Sequence, residues 1–330
     1  MTRTPRPAKR PPKRPAAPER LDAIIVGAGV AGLSTALWLR DFGLDALLLE
    51  EASRPGGQLH EIHAAIPNFL GAYGWDGARL AGAVLSDARA AGLPALVGAG
   101  VSRVSARGLW IERAADEAGD ATKIHARAVV IATGLRRRTL GVPGEAELLN
   151  RGVSHSANRD RMRFEGRPVV VIGGGTAAVE DALLCAEAGS DVTLLHRSAR
   201  FRAREDFLAR VRSNARIRIV TGAAVTRIVG SDAAEGVEYR PRGGRATKVI
   251  PAAGVFVRIG WAPRSELVRR QVRCDAAGYI RVNALGATSA PSLFAAGDVC
   301  SPRCPSIANA VGQGAAVAWE IARRLGRVRG

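Results

Sequence analysis

Ala23-Ile24-Ile25-Val26-Gly27-Ala28-Gly29-Val30-Ala31-Gly32 joins a short aliphatic run to a glycine loop, and Val169-Val170-Val171-Ile172-Gly173-Gly174-Gly175-Thr176-Ala177-Ala178 repeats the arrangement. The aliphatic runs are short enough and β-branched enough to be buried parallel strands, and helix-forming sequence follows each loop. Glycine supplies 38 of 330 residues, so a G-x-G-x-x-G match alone decides little. The spacing beyond each loop decides more. A dinucleotide-binding βαβ unit needs a second strand ending in a group that reads the adenosine ribose, about 20 residues past the glycines. Ala46-Leu47-Leu48-Leu49 ends at Glu50 and Val192-Thr193-Leu194-Leu195 ends at His196, each 23 positions beyond the first glycine of its loop. Two dinucleotide sites in one chain are therefore expected.

The two ribose positions carry opposite chemistry. Glu50 is an acceptor-only carboxylate that takes ribose hydroxyls and repels a 2′-phosphate, so the first site fits FAD or NAD. His196 and Arg197, with Arg202 five residues on, offer donors and positive charge for a 2′-phosphate, so the second site reads as NADPH. Gly173, Gly175, Thr176 and Ala178 complete that loop, with Ala178 where a third glycine usually stands. Room for phosphates on the helix N-terminus remains.

Composition bounds what else the chain can be. At 330 residues with 47% hydrophobic content it suits about two domains with real cores. Net charge is +18, almost all of it arginine, with 44 arginines against four lysines. Such a field attracts anionic substrates and acidic proteins, and no base-reading module accompanies it, so no specific nucleic-acid partner is expected. No apolar run is long enough to cross a bilayer and no secretory stretch opens the sequence, which gives a cytoplasmic, membrane-free expectation. Residues 1–20 hold seven basic residues, one acid and six prolines, the composition of a disordered basic arm. Four cysteines are too few for a disulfide scaffold, and only Cys300 and Cys304 lie close together in sequence.

Further along, Ala128 to Ile131 reads as a strand running into the small-residue turn Ala132-Thr133-Gly134, which lets backbone approach a cofactor. A helix is expected at 177–188 and a β-rich section at 217–249. Ser292 to Val299 then reads as a strand ending in Gly297-Asp298, followed by a helix over 306–325 with a small face of Ala308, Gly312, Ala315 and Ala316. This return to the first style makes the first domain discontinuous. The expected fold class is α/β, with two Rossmann-like three-layer dinucleotide-binding domains, the second inserted into the first. Residues 21–137 and 260–330 form the first and residues 138–259 the second, with hinges near 135–140 and 258–263.

These residues resemble the low-molecular-weight thioredoxin reductases and their relatives from Leu21 to Leu325. The resemblance rests on both glycine loops, Gly56-Gly57-Gln58-Leu59, Asn68, Ala132-Thr133-Gly134, His196-Arg197-x-x-x-Phe201-Arg202-Ala203 and Gly297-Asp298. It implies FAD in the first site and NADPH in the second, with the domain assignments to match. It also implies Asp298 at the ribitol, Gln58 and Asn68 along the flavin, Ser306 near it, a rotating inserted domain, and a homodimer.

The chain departs from the family where that family carries C-x-x-C. The four residues here are Ser156-Ala157-Asn158-Arg159, and no thiol remains to pass electrons to thioredoxin. Pro305-Ser306 likewise replaces the usual Arg-Gln beside the flavin. An NADPH-dependent flavoprotein oxidoreductase with another acceptor is the expectation, either a small molecule or an acidic redox protein such as ferredoxin or flavodoxin. The ferredoxin reductases of this type usually extend over the flavin beyond the last helix, and this chain ends at Gly330. Two alternatives stand beside it. Cys300 and Cys304, near a helix N-terminus and Arg303, could form a new redox pair with lowered thiol pKa, or simply be small residues lining a cofactor loop. The chain could also be a non-catalytic flavin-bound redox sensor. His60, His63 and His155 are candidate general acids as well as ordinary hydrogen-bonding residues, and the first two lack an evident third ligand for a metal.

Overall fold

A computed structural model describes residues 21–93, 95–105, 110–113, 123–300 and 304–329. The proposed basic arm at 1–20 lies outside the described residues. The chain opens with β1 (Leu21–Val26), α1 (Val30–Asp41), β2 (Ala46–Leu49), α2 (Gly77–Ala90), β3 (Ala95–Leu96), β4 (Val101–Ser105), β5 (Trp110–Arg113) and β6 (Lys123–Ile131). β3, β2, β1 and β6 lie side by side in parallel, while β4 and β5 form an antiparallel meander on the first half of β6. β1 shows why its sequence is continuously apolar. Ala23 and Ile25 face one buried cluster and Ile24 the other, all three fully buried. A strand covered on both faces has no solvent side to alternate toward.

β7 (Leu135–Arg137) leads into the second unit, which contains β8 (Val153–Ser154), α3 (Ala157–Asp160), β9 (Val169–Ile172), α4 (Thr176–Glu187), β10 (Val192–His196) and α5 (Glu205–Ser213). It continues through β11 (Ile217–Thr221), β12 (Ala223–Val229), β13 (Gly236–Pro241), β14 (Lys248–Pro251) and β15 (Gly254–Val257). Strands β11-β10-β9-β15-β8 make an all-parallel sheet, and β12, β13 and β14 an antiparallel one. The helix at 177–188 is thus seen as Thr176–Glu187, and the β-rich section is the edge strand β11 plus the antiparallel sheet.

β16 (Trp261–Pro263) then pairs antiparallel with β7, so the outgoing and returning connections form one two-stranded ribbon. β17 (Leu293–Ala295) rejoins the first sheet parallel to β6, and α6 (Ile307–Arg324) packs on α1. A strand from the end of the chain paired with a strand before the second sheet is the topology of an insertion.

One packing detail corrects the sequence reading. The small residue that admits α1 against α6 is Gly314, where an added Cβ would lie 2.5 Å from the Ala31 carbonyl oxygen. Ala308 and Gly312 are exposed, and the buried stripe is Gly314, Val317, Ala318, Ile321 and Ala322. A helix interior rich in small residues offers several possible faces, and here the larger Val317 and Ile321 select the buried one.

Candidate functional site

Each loop places one glycine for space and others for contact. Gly27 has φ 106°, and a Cβ there would meet the Ala132 carbonyl oxygen at 2.5 Å. A Cβ on Gly32 would meet the Gly27 carbonyl oxygen at 1.9 Å, so these two let the turn and helix close on the sheet. Gly29 is different. It is the N-cap of α1, makes no side-chain cap, and has nothing within 4 Å of an added Cβ. The helix N-terminus therefore opens on free space with unpartnered N–H groups, the setting that favours phosphate.

Glu50 lies beside this opening. Its carboxylate accepts the Ala28 N–H at 2.7 Å and the Ala52 N–H at 2.9 Å, which holds it at the end of β2 with lone pairs to spare for ribose hydroxyls. From Gly29 a cleft of about 660 Å³ runs past Gln58, Ala132 and Gly134 to Gly297, Asp298 and Ser306. Gln58 Nε2 donates to Asp298 Oδ2 at 3.2 Å, and burial pushes the Asp298 carboxyl up against the opposing effect of that bond. Ser306 caps α6 by accepting the Asn309 N–H at 3.2 Å. Gly57 sits against Gly29 and borders a neighbouring cleft. Asn68 lies exposed in the following loop and does not line the flavin-sized cleft. The open helix end, acceptor carboxylate and long cleft fit a bound FAD.

The second loop repeats the device. Gly175 caps α4 with nothing within 4 Å of an added Cβ, while a Cβ on Gly173 would meet the Arg258 carbonyl oxygen at 2.3 Å. Ala178 is fully buried against Gly173, so its methyl group fits where a glycine was expected. A cleft of about 520 Å³ holds Gly173 to Thr176, His196, Arg197, Arg202 and Trp261. None of the ion pairs among the described residues takes Arg197 or Arg202, whereas nearby Arg204 is paired with Asp206.

His196 behaves unlike a free donor. Its ring fills the space over Gly174, where a Cβ would lie 2.1 Å from it, and stacks on Phe201 with centroids 4.9 Å apart. Its Nε2 donates to the Arg200 carbonyl oxygen at 3.1 Å, and since a carbonyl only accepts, that nitrogen carries the proton. Burial lowers its pKa, and Arg202 and Arg197 lower it further, so the ring is neutral at pH 7. The positive charge of this cleft comes from its arginines: Arg197, Arg202 and Arg138 take none of the ion pairs among the described residues, while Arg137 and Arg258 are paired with Glu61 and Asp181.

The segment from His155 to Asp160 is tightly held. Ser156 caps α3, Ala157 N–H donates to Asp181 Oδ2 at 3.2 Å, and Arg258 Nη1 donates to the His155 carbonyl oxygen at 2.8 Å. Arg258 Nε lies 3.1 Å from Asp181 Oδ2, and burial pushes the Asp181 carboxyl up to about 6 despite that arginine. Asp160 accepts from Ser154 Oγ at 2.6 Å and Arg159 Nη2 at 2.7 Å. Burial also lowers the pKa of His155, whose Nδ1 donates to the Val257 carbonyl oxygen at 3.3 Å.

The expectation of a lowered thiol pKa is corrected at Cys300. Cys300 packs against the apolar cluster around Leu293 and Val299, and burial, aided by Asp298, pushes its thiol up to about 12. That is the reverse of the lowering expected from a nearby helix end and Arg303, because sequence proximity did not reveal which way the side chain turns. Cys304 is exposed, both thiols are free, and neither lines the cleft that holds Asp298. Residues 301–303 lie outside the described residues. His60 Nε2 donates to the Pro55 carbonyl oxygen at 2.7 Å, and His63 is exposed at the cleft mouth. Among the described residues no group of three or more His, Cys, Asp or Glu could hold a metal. No helix among them is long and apolar enough to cross a membrane.

Sequence reasoning missed Arg137, Arg258 and Trp261, which line the clefts from the two connections. Arg137 stacks over the Trp261 ring at 4.3 Å and pairs with Glu61 at 2.7 Å. The stretches were identified as hinges, but in a chain with so many arginines nothing in the spacing singled these out.

A family model described as pyridine nucleotide-disulphide oxidoreductase matches residues 21–314. The chain is 35% identical over 306 residues to a thioredoxin reductase of Mycolicibacterium smegmatis, covering 92% of this chain and 96% of that protein. It is 31% identical over 300 residues to an NADH dehydrogenase of Bacillus subtilis, covering 91% of this chain and 58% of that longer protein. Among solved structures, Lactococcus lactis thioredoxin reductase in its FR conformation superposes with a TM-score of 0.76 at 29% identity, covering 94% of this chain and 100% of the other. Thioredoxin reductase of T. acidophilum gives 0.73 at 30% identity, covering 93% and 99%.

Proposed function

The chain belongs to the pyridine nucleotide-disulphide oxidoreductase family and is a flavoprotein oxidoreductase using FAD and NADPH, and from that premise we propose that its electrons leave without a dithiol of its own. In this reading residues 21–137 and 260–330 bind FAD through Gly29, Glu50, Gln58, Asp298 and Ser306. Residues 138–259 bind NADPH through Gly175, Thr176, Arg197 and Arg202. FAD, when bound, accepts a hydride and stores two electrons for onward transfer. The protein's part is to hold one nucleotide on the N-terminal end of α1 and the other on that of α4, with Glu50 selecting an unphosphorylated ribose and the arginines a phosphorylated one. His196 supports the second site by filling the space over Gly174 and fixing the turn that carries Arg202, whose N–H donates to the Gly174 carbonyl oxygen at 2.7 Å.

The acceptor is a small molecule or an acidic redox protein, the latter favoured in encounter by the net charge of +18. We place the enzyme in the cytoplasm as a homodimer. Transfer through Cys300 and Cys304 has little to support it, since a thiol pushed up to about 12 is not a nucleophile at neutral pH.

The observation that carries the reading is the contrast of Glu50 at the end of β2 with Arg197 and Arg202, which follow the matching position at the end of β10 and take no acidic partner among the described residues. Each lost charge-assisted hydrogen bond is worth about 1.5–3 kcal/mol, or about tenfold to a hundredfold in affinity. Arg197→Gln and Arg202→Gln should weaken NADPH binding by about that factor and NADH binding by about twofold or less, measured by equilibrium titration. Equal weakening of both nucleotides would remove the phosphate assignment.

A further inference from the structure

Beside the flavin-sized cleft lies a third, of about 470 Å³, which shares Glu61, His63, Arg137 and Ser156 with it. Its wall is built from both units. Arg54, His60 and His63 come from the chain after β2, while His155 and Arg159 come from the segment between β8 and the end of α3.

The charge on this wall is one-sided. Among the described residues Glu61 is its single acid, and Arg137 neutralises it at 2.7 Å. Arg159 is balanced by Asp160 just outside, with its Nη2 also reaching Asn150 Oδ1 at 3.4 Å. Arg54 has no acidic partner among the described residues, and His63, likewise exposed, lines the same cleft. His60 and His155 have each committed one ring nitrogen to a backbone carbonyl, which leaves the other free to bond a ligand. The volume suits a small organic molecule, and a concave wall with uncompensated positive charge selects one that carries an anionic group.

We propose that this cleft is the electron-acceptor site and that it takes a small organic acceptor bearing a carboxylate, sulfonate or phosphate, with Arg54 and His63 as its anion anchors. The inference rests on the flavoprotein reading above and adds to it the class of acceptor. Ser156 and Arg159, at the position where the family resemblance places a dithiol, then supply part of the wall of a small-molecule site. For a quinone acceptor the balance is NADPH plus a proton plus quinone giving NADP⁺ and hydroquinone, with the hydride supplied by NADPH and the proton by solvent.

The test uses two probes with the same ring system, anthraquinone-2-sulfonate and neutral 2-(hydroxymethyl)anthraquinone, titrated calorimetrically into oxidised FAD-loaded enzyme without NADPH. The sulfonate should bind about tenfold or more tightly than the neutral probe, and binding should weaken with salt. Arg54→Gln, and Arg54→Gln combined with His63→Gln, should each remove most of that preference, while Arg197→Gln in the other cleft should leave it intact. Equal affinity for the two probes, indifference to Arg54→Gln, or control by Arg197→Gln would overturn the assignment. So would turnover of an acidic carrier protein by an enzyme that binds no sulfonate. Reduction of the flavin by NADPH in the same preparation separates the two claims. If it fails, the proposed function fails, and if it succeeds without a probe preference, only the acceptor site does.

Discussion

A methyl group added to Gly29 meets nothing within 4 Å, whereas one on Gly32 falls 1.9 Å from the Gly27 carbonyl oxygen. The pair therefore separates binding from folding. Gly29→Ala should leave apoprotein stability within about 1 kcal/mol of the parent and weaken FAD binding at least about tenfold, because its methyl group points into the space a phosphate needs. Gly32→Ala should instead cost about 2–4 kcal/mol by forcing backbone apart, a loss visible in urea unfolding without any cofactor. Loss of FAD affinity in Gly32→Ala alone, with Gly29→Ala unaffected, would reverse these roles. At this scale the sequence was informative about position and less so about commitment. The 23-residue offset located Glu50 and His196, yet only coordinates reveal that the histidine spends its proton on the Arg200 carbonyl and its surface on Gly174. Cys300 makes the same point, since adjacency to Asp298 was legible and the turn of its thiol into the apolar cluster was not.

α4 carries the most exposed test at the level of elements. Asp181 on this helix joins Ala157 of α3 and Arg258 after β15, so one buried carboxylate ties the start of α3 to the connection leaving the second unit. Its carboxyl is pushed up to about 6 from an ordinary 3.8, with burial the largest cause. The folded form thus binds this proton more tightly than the unfolded chain. Its contribution to stability is complete below about pH 3.8 and is lost as pH rises through about 6. Asp181→Asn should remove this dependence, so the change in unfolding free energy between about pH 4.5 and pH 7 shrinks by on the order of 2 kcal/mol. An unchanged pH profile would mean the carboxyl is not the titrating group. Element existence was legible in the sequence because buried parallel strands write continuous apolar runs. The lining of the clefts by β7 and β16 was not, because three-residue strands carry no period to read.

The whole molecule is organised as two nucleotide units joined by a ribbon of two strands, and ribbon residues line the clefts. Arg137 lies on that ribbon and borders all three clefts, so a change in the angle between units must move it relative to each. The insertion was legible because Ser292 to Val299 returns to the apolar style of β1, and β17 does rejoin the first sheet. The proposed acceptor site was not, because a concave wall assembled from residues 54–63 and 155–159 leaves no contiguous motif. What unites these features is the claim that FAD is the last redox centre this chain supplies. Anaerobic dithionite titration of the FAD-loaded enzyme measures that directly. Reduction should be complete after about two electrons per FAD, and Cys300→Ser with Cys304→Ser should leave the end point unchanged. An end point near four electrons per FAD that falls to two in the double variant would show a dithiol pair in series with the flavin and contradict the account.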